Sequence, residues 1–293
     1  TSPFAGREGK YLTSRQIRER LFREALTNVA LRVEETDDPD KYQVYGRGEL
    51  HLGVLLENMR REGYEIAVSR PRVVIKVIDG VRNEPYEVLA VDIEDSSQGA
   101  VMTALGSRGG LLQLGETDGK GRVRLDYIIP ARGLIGFQTE FRTMTSGLGL
   151  LFHVFDHYAP VSEREIASRQ NGVMISNGQG TVLGYSLFNL QERGKLMCAH
   201  GDEVYEGQVI GIHSRENDLV VNPLKGKKLT NMRAAGKDEN IVLTTPIRYT
   251  LEQAMEFIED DELVEITPSS IRIRKRALKE QDRKRSGRAS ESE

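Results

Sequence analysis

Cysteine is nearly absent. Cys198 is the single one, so no internal disulfide can form, and a zinc finger, which needs two or more thiolates or clustered histidines, is excluded. A reducing cytoplasm is the natural reading. Long apolar runs are also lacking. None approaches the roughly 18 residues that a membrane-spanning helix needs, so no membrane partner is expected. Thr1 to Lys10 has no apolar stretch and does not read as a signal peptide. What remains is ordinary globular sequence, 38% hydrophobic and 29% charged over 293 residues, with room for two or three domains.

A strong excess of one charge is missing too. The 41 Lys+Arg against 44 Asp+Glu leave −3, which excludes a uniformly basic coat for nucleic acid. The charges are nevertheless segregated. Residues 222–237 carry five basic groups and no acid, 249–265 seven acids and no base, and 271–288 nine bases against two acids. Such segregation points to separate surfaces with separate electrostatic roles.

Along the chain, Thr13 to Leu26 reads as a helix opened by a Thr13/Gln16 capping box. Two short strands, Ala30 to Glu35 and Tyr42 to Arg47, follow. A helix then runs from Gly48 to Arg61 and ends at Gly63, and Tyr64 to Val68 alternates as a strand. A second pass gives a strand at Val88 to Ile93 and a helix at Ser96 to Leu105. Leu111 to Glu116 and Arg122 to Ile128 make a hairpin, before a helix at Gly133 to Thr145 and a strand at Leu148 to Phe155. That order, β-α-β-β-α-β, is the split βαβ or ferredoxin-like arrangement, and the first block matches it with its opening strand missing. Residues 1–6 read as what remains of that strand and its exit loop. Arg47-Gly48 and Arg132-Gly133 both open a second helix, 85 residues apart, which points to an internal repeat.

Beyond Ser162 the texture becomes β-rich. Asn177-Gly178 signals a hairpin between strands at Val173 to Ile175 and Val182 to Tyr185. Leu187 to Glu192 reads as a helical turn, and Thr250 to Ile258 as a short acidic helix. The fold class is therefore α+β: ferredoxin-like split-βαβ sandwich domains at 1–76 and 77–160, then a β-rich C-terminal domain at 161–278 with a short helix. Residues 279–293 read as a basic, disordered tail.

Several runs resemble the BipA/TypA family of translational GTPases. They include Thr1-Ser2-Pro3-Phe4-Ala5-Gly6, Asn28 to Thr36, Glu57 to Gly63, Ser69-Arg70-Pro71 and Pro130-Ala131-Arg132-Gly133-Leu134-Ile135-Gly136-Phe137. Gly46-Arg47-Gly48-Glu49-Leu50-His51-Leu52 is shared with elongation factor G and its relatives. The region after residue 160, with Gly201-Asp202-Glu203-Val204-Tyr205-Glu206-Gly207, resembles BipA only.

The resemblance implies domains equivalent to III and V of elongation factor G, plus a C-terminal domain peculiar to BipA. It also implies binding to the A site of the bacterial 70S ribosome, with rRNA, ribosomal proteins and the acceptor end of an A-site tRNA as partners. Large-subunit assembly and stress or cold adaptation are the implied roles. The protein is then cytoplasmic, ribosome-associated and monomeric. GTP and Mg²⁺ are implied for an N-terminal domain missing from this chain. The chain itself has neither a Gly-x-x-x-x-Gly-Lys-Ser/Thr run nor an Asn-Lys-x-Asp guanine-reading motif, so no cofactor and no GTP hydrolysis are expected of it.

The leading candidate for RNA contact is the loop Asn222 to Asn240. Lys225, Lys227, Lys228, Arg233 and Lys237 are placed to neutralise phosphates, while Thr230 and Asn231 supply hydrogen bonds. Arg47, Arg108 and Arg132 are further candidates, the first and last beside helix N-termini that favour anions. The basic residues from Arg272 to Arg285 add phosphate attraction or simply solubilise a tail. His153, Asp156 and His157 lack a third ligand of clear geometry for a metal. Cys198 with His200 reads as a small buried residue rather than a nucleophile and base. Glu256, Glu259, Asp260 and Asp261 read as a solvated acidic face. The competing functional class is a protein-interaction module that does not touch RNA.

Overall fold

The computed structural model describes residues 2–163, 169, 171–226 and 242–290. They form two compact bodies: the first unites 1–70 with 169–293, and the second is 71–168.

The opening helix α1, Ser14–Thr27, begins on the expected capping box. The Gln16 amide donates to Thr13 Oγ1 at 3.3 Å, and the Gln16 side chain accepts from the Thr13 amide at 3.1 Å. Strands β1, Arg32–Glu35, and β2, Tyr42–Tyr45, pair antiparallel. Helix α2, Glu49–Glu62, stops at Gly63, whose φ of +101° suits glycine. Leu21, Leu31, Leu55, Met59 and Tyr64 bury their side chains together. Strand β3, Ile66–Val68, does not join β1 and β2 in the single sheet that the split-βαβ reading requires. Residues 3–6 are turn.

The second body holds β4, Lys76–Ile78, β5, Val81–Glu94, α3, Gln98–Ser107, β6, Leu111–Thr117, β7, Arg122–Pro130, α4, Ala131–Leu134, α5, Phe137–Met144, and β8, Leu150–Pro160. Its antiparallel sheet runs β8-β5-β7-β6, with β4 on the start of β5. Leu89, Val91 and Ile93 alternate onto one face and pack with Val101, Leu105, Phe137 and Phe141 of the helices. The helix expected over Gly133 to Thr145 is broken between α4 and α5, because Gly136 takes φ +73°. Arg108 Nη1 donates to the carbonyls of Gly133 and Ile135 at 3.0 and 3.1 Å, satisfying the groups freed at the break.

The first body resumes with β9, Val173–Ser176, β10, Gly180–Thr181, α6, Gly184–Leu190, β11, Gly194–Leu196, β12, Glu203–Val204, β13, Val209–His213, β14, Leu219–Val221, α7, Leu251–Phe257, β15, Glu262–Ile266, β16, Ile271–Lys275, and α8, Glu280–Ser290. The Asn177-Gly178 hairpin does not form. Strand β9 lies inside a sheet, antiparallel to β13 and parallel to β14; the end of the expected strand, Gly184 and Tyr185, is helix, continuous with the helical turn expected from Leu187. All four β9 residues are buried, with Val173 and Ile175 in one core and Met174 in another. A strand packed on both faces takes its partners from distant sequence, so a local turn signal does not decide its pairing. Strand β3 completes the sheet β16-β15-β3, with Ile66 opposite Ile266 and Val68 opposite Val264, which binds residues 2–70 to the later segment. The stretch expected to be disordered from 279 is helical through Ser290, with a Glu280–Lys284 ion pair one turn apart.

Candidate nucleic-acid interface

Of the loop residues named from sequence, Lys225 is described and exposed. Lys227, Lys228, Thr230, Asn231, Arg233 and Lys237 lie outside the described residues. The chain on both sides of 227–241 is tied to α6 and the turn after it. On the leading side Ser186 Oγ donates to the Asn222 carbonyl at 2.5 Å, and the Leu183 amide donates to the Pro223 carbonyl at 3.1 Å. Leu224 rests against the core formed by Val182, Leu187 and Leu190. On the returning side the Gln191 side chain holds the backbone twice, donating to the Val242 carbonyl at 3.1 Å and accepting from the Thr244 amide at 3.0 Å. The described flanks of the basic segment thus both lie beside one helix.

Next to it lies a groove of about 560 Å³ lined by Tyr185, Ser186, Asn189, Arg193, Asn222 and Lys225 among others. A smaller cavity of about 210 Å³, lined by Arg193, His213, Ser214, Arg215 and Asn217, shares Glu192, Arg193 and Leu219 with it. The pairing of β11 with β13 makes this neighbourhood: Gly194 stands opposite His213, and the Ser214 amide donates to the Arg193 carbonyl at 2.9 Å. Tyr185, Arg193 and Arg215 were not named from the sequence. No short-range pattern links them, since only the register of two separate strands brings Arg193 to Arg215.

The other three arginine candidates differ. Arg47 is exposed, with its backbone amide on His51 Nδ1 at 3.3 Å and no ion pair among the described residues. Arg108 is committed to the helix break and to Glu140 at 2.7 Å, with its guanidinium carbon 5.2 Å from the centre of the Phe137 ring. Arg132 donates through Nε to the buried Glu84 carboxylate at 2.6 Å and through Nη2 to the Ser162 carbonyl at 2.7 Å. The two Arg-Gly pairs are not equivalent. A Cβ on Gly133 would sit 2.4 Å from the Arg108 carbonyl oxygen, whereas one on Gly48 would meet nothing within 4 Å.

The charged segments after residue 249 also depart from the reading as solvated faces. Glu259 pairs with Arg70 at 2.9 Å, and Asp261 with Lys275 at 2.8 Å. Arg272, expected in a basic tail, lies in β16 and bridges Glu8 and Glu265 at 2.5 and 3.0 Å. Cys198 is buried, and burial, aided by the Asp202 carboxylate, pushes its thiol up to about 12. The nearby His200 has Nδ1 3.1 Å from both the Val182 carbonyl oxygen and the Gly184 amide nitrogen, donating to the first or accepting from the second according to its tautomer. His153 pairs with Glu87, and His157 with Asp156 at 2.6 Å while stacking on Tyr86.

Residues 171–280 match the family described as the TypA/BipA C-terminal domain, and residues 81–169 match the elongation factor G C-terminus. The chain is 65% identical over 289 residues to the large ribosomal subunit assembly factor BipA of Escherichia coli K12, covering 99% of this chain and 48% of that protein. The same-named proteins of Haemophilus influenzae and of Buchnera aphidicola are 65% and 59% identical over 292 residues, covering 100% of this chain and 47% and 48% of theirs. The chain thus spans about half the length of the curated relatives it matches. With at least 289 of its 293 residues aligned at this level, the chain belongs to the BipA/TypA family, related to elongation factor G.

Proposed function

We propose that this chain is the ribosome-binding part of a translational GTPase that acts in assembly of the large ribosomal subunit. The observation that carries the reading is its 65% identity, over nearly its whole length, to proteins named as large ribosomal subunit assembly factors. Binding rests on phosphate contacts of the basic segment 222–240, and no GTP hydrolysis is assigned to the chain, whose sequence has no Gly-x-x-x-x-Gly-Lys-Ser/Thr run. GTP and Mg²⁺ belong to the part of the relatives that this chain does not span. The partners are the 70S A site, its rRNA and ribosomal proteins and the acceptor end of an A-site tRNA, in the cytoplasm, with the protein as a monomer and a role in stress or cold adaptation. Arg47 is the free cation among the three arginine candidates. Arg108 and Arg132 contribute through the surface that they stiffen. The strand order β8-β5-β7-β6 supports a ferredoxin-like reading of the second body.

The test is co-sedimentation with purified 70S ribosomes over a salt series, beside a variant with Lys225, Lys227, Lys228 and Arg233 changed to alanine. Pelleting that weakens with salt and is lost in the variant is the expected result. Equal pelleting of the variant removes the loop from the reading, and no pelleting at any salt removes ribosome binding by this chain. A protein-interaction module is the second reading, favoured by the open sheet face of the second body, where Phe152 and Val154 on β8 are 65% and 64% exposed. It predicts a partner that stays bound after nuclease treatment.

A further inference from the structure

We propose that the groove beside α6 is a subsite for an unpaired RNA nucleotide, the base lying on Tyr185 and its phosphate held between Arg193 and Arg215. This deepens the RNA-binding reading above and rests on it.

Three observations converge. The two cavities share Glu192, Arg193 and Leu219, so they adjoin along those residues, and the larger falls within the roughly 300–1,000 Å³ typical of small-ligand sites. Its cations are uncommitted. Arg193, Arg215 and Lys225 have no ion-pair partner among the described residues, whereas Arg169 and Arg272 of the same body are bound to carboxylates. An uncommitted guanidinium presents a planar fork of donors that suits a phosphate. Finally, the compartment away from Arg215 is lined by Tyr185, Leu190 and Val221, and by Asn189 and Asn222, whose side chains respectively donate to the Tyr185 carbonyl and accept from the Leu224 amide. Every nucleobase has a face that stacks on an aromatic ring, and side-chain amides serve base edges. Glu192 is the one carboxylate among the described residues lining the groove, where it can accept from an exocyclic amino group. Three cations around one acid among the described lining residues favour a polyanion over a protein.

The experiment uses the whole chain and a single-stranded RNA hexamer carrying 2-aminopurine, whose fluorescence is quenched by stacking. The unaltered chain is expected to quench the probe on binding. Tyr185→Ala should lose the quench and weaken affinity roughly 5- to 100-fold, the loss of one stacked base, while Tyr185→Phe retains both. The double variant Arg193→Ala with Arg215→Ala should also bind more weakly. Its plot of log affinity against log salt should be shallower by about 0.7, the share of one phosphate on a single strand. Binding without quenching, or equal binding by Tyr185→Ala, overturns the subsite. Ribosome pelleting run beside it separates the two readings: a chain that pellets but never binds the hexamer loses the subsite alone, and a chain that does neither loses both.

Discussion

Glu262 and Lys275 stand opposite one another across the pairing of β15 with β16, the ammonium nitrogen 3.0 Å from Oε1 of a fully buried carboxylate. Arg169 grips the same carboxylate with two hydrogen bonds of 2.9 Å, and Lys275 reaches Asp218 and Asp261 at 2.6 and 2.8 Å. Three positions along, Glu265 stands opposite Arg272 and accepts from its Nη1 at 3.0 Å. The acidic run that ends at Glu265 and the basic run that begins at Arg272 therefore neutralise each other across a strand pair. For Asp261, Glu262 and Glu265 with Arg272 and Lys275, the segregation in sequence is internal complementarity rather than two separate surfaces.

Cutting one side of this pair should be costly. Lys275→Met leaves the Glu262 charge buried with a single cation and is expected to destabilise the first body by about 3–5 kcal/mol, as measured by urea unfolding. A loss below about 1 kcal/mol would show that Arg169 alone satisfies the carboxylate.

The same network sets a pH window. Burial raises the Glu262 pKa, but the hydrogen bonds and charge of Arg169 outweigh it and hold the group below 4.5. Burial likewise raises that of Glu8, and its bonds from Thr267 and Arg272 reverse the effect. Carboxylates depressed on folding contribute stability above their unfolded pKa and lose it as pH falls through the folded one. Burial lowers the Lys275 pKa, yet Glu262, Asp218 and Asp261 together raise it above 10.5, so its contribution is complete below that pH and is lost as pH rises through the raised value. Stability should thus hold between these limits and fall below pH 4.5, with a shallower acid slope in Glu262→Gln. Identical slopes in urea unfolding at stepped pH would remove Glu262 from the account.

Gln191→Ala should loosen the returning end of the basic segment without unfolding the body. The Thr244 amide loses its side-chain acceptor, and its hydrogen exchange should rise roughly five- to tenfold, the worth of one hydrogen bond. Unchanged exchange would mean that the backbone there is held by other contacts.

Cys198 should be inert in the folded chain. With the thiol pushed up to about 12, the reactive thiolate is scarce at pH 8, and alkylation should run at least ~100-fold slower than in urea. A fast reaction without denaturant would place the thiol at the surface.

Much of this was legible beforehand. The Thr13/Gln16 and Thr250/Gln253 caps form over the helices read from sequence, α2 ends where Gly63 permits it, and Leu89, Val91 and Ile93 alternate onto the core. These depend on contacts within a few residues and on hydrophobic period, which the chain carries locally. The failures share one cause. The partners of β9, the pairing of β3 with β15, the break relieved by Arg108 and the meeting of Arg193 with Arg215 all join residues far apart in sequence.

By itself the sequence determined the caps and turns, the apolar faces, the single inert thiol and the resemblance to one family, because each rests on residue identity or near neighbours. Only the tertiary structure decided which charges are spent on one another and which stay free. A guanidinium looks the same in the chain whether a buried carboxylate awaits it, as Glu84 awaits Arg132, or a groove leaves it open, as at Arg193. That difference is set by strand register and by the desolvation that close packing imposes.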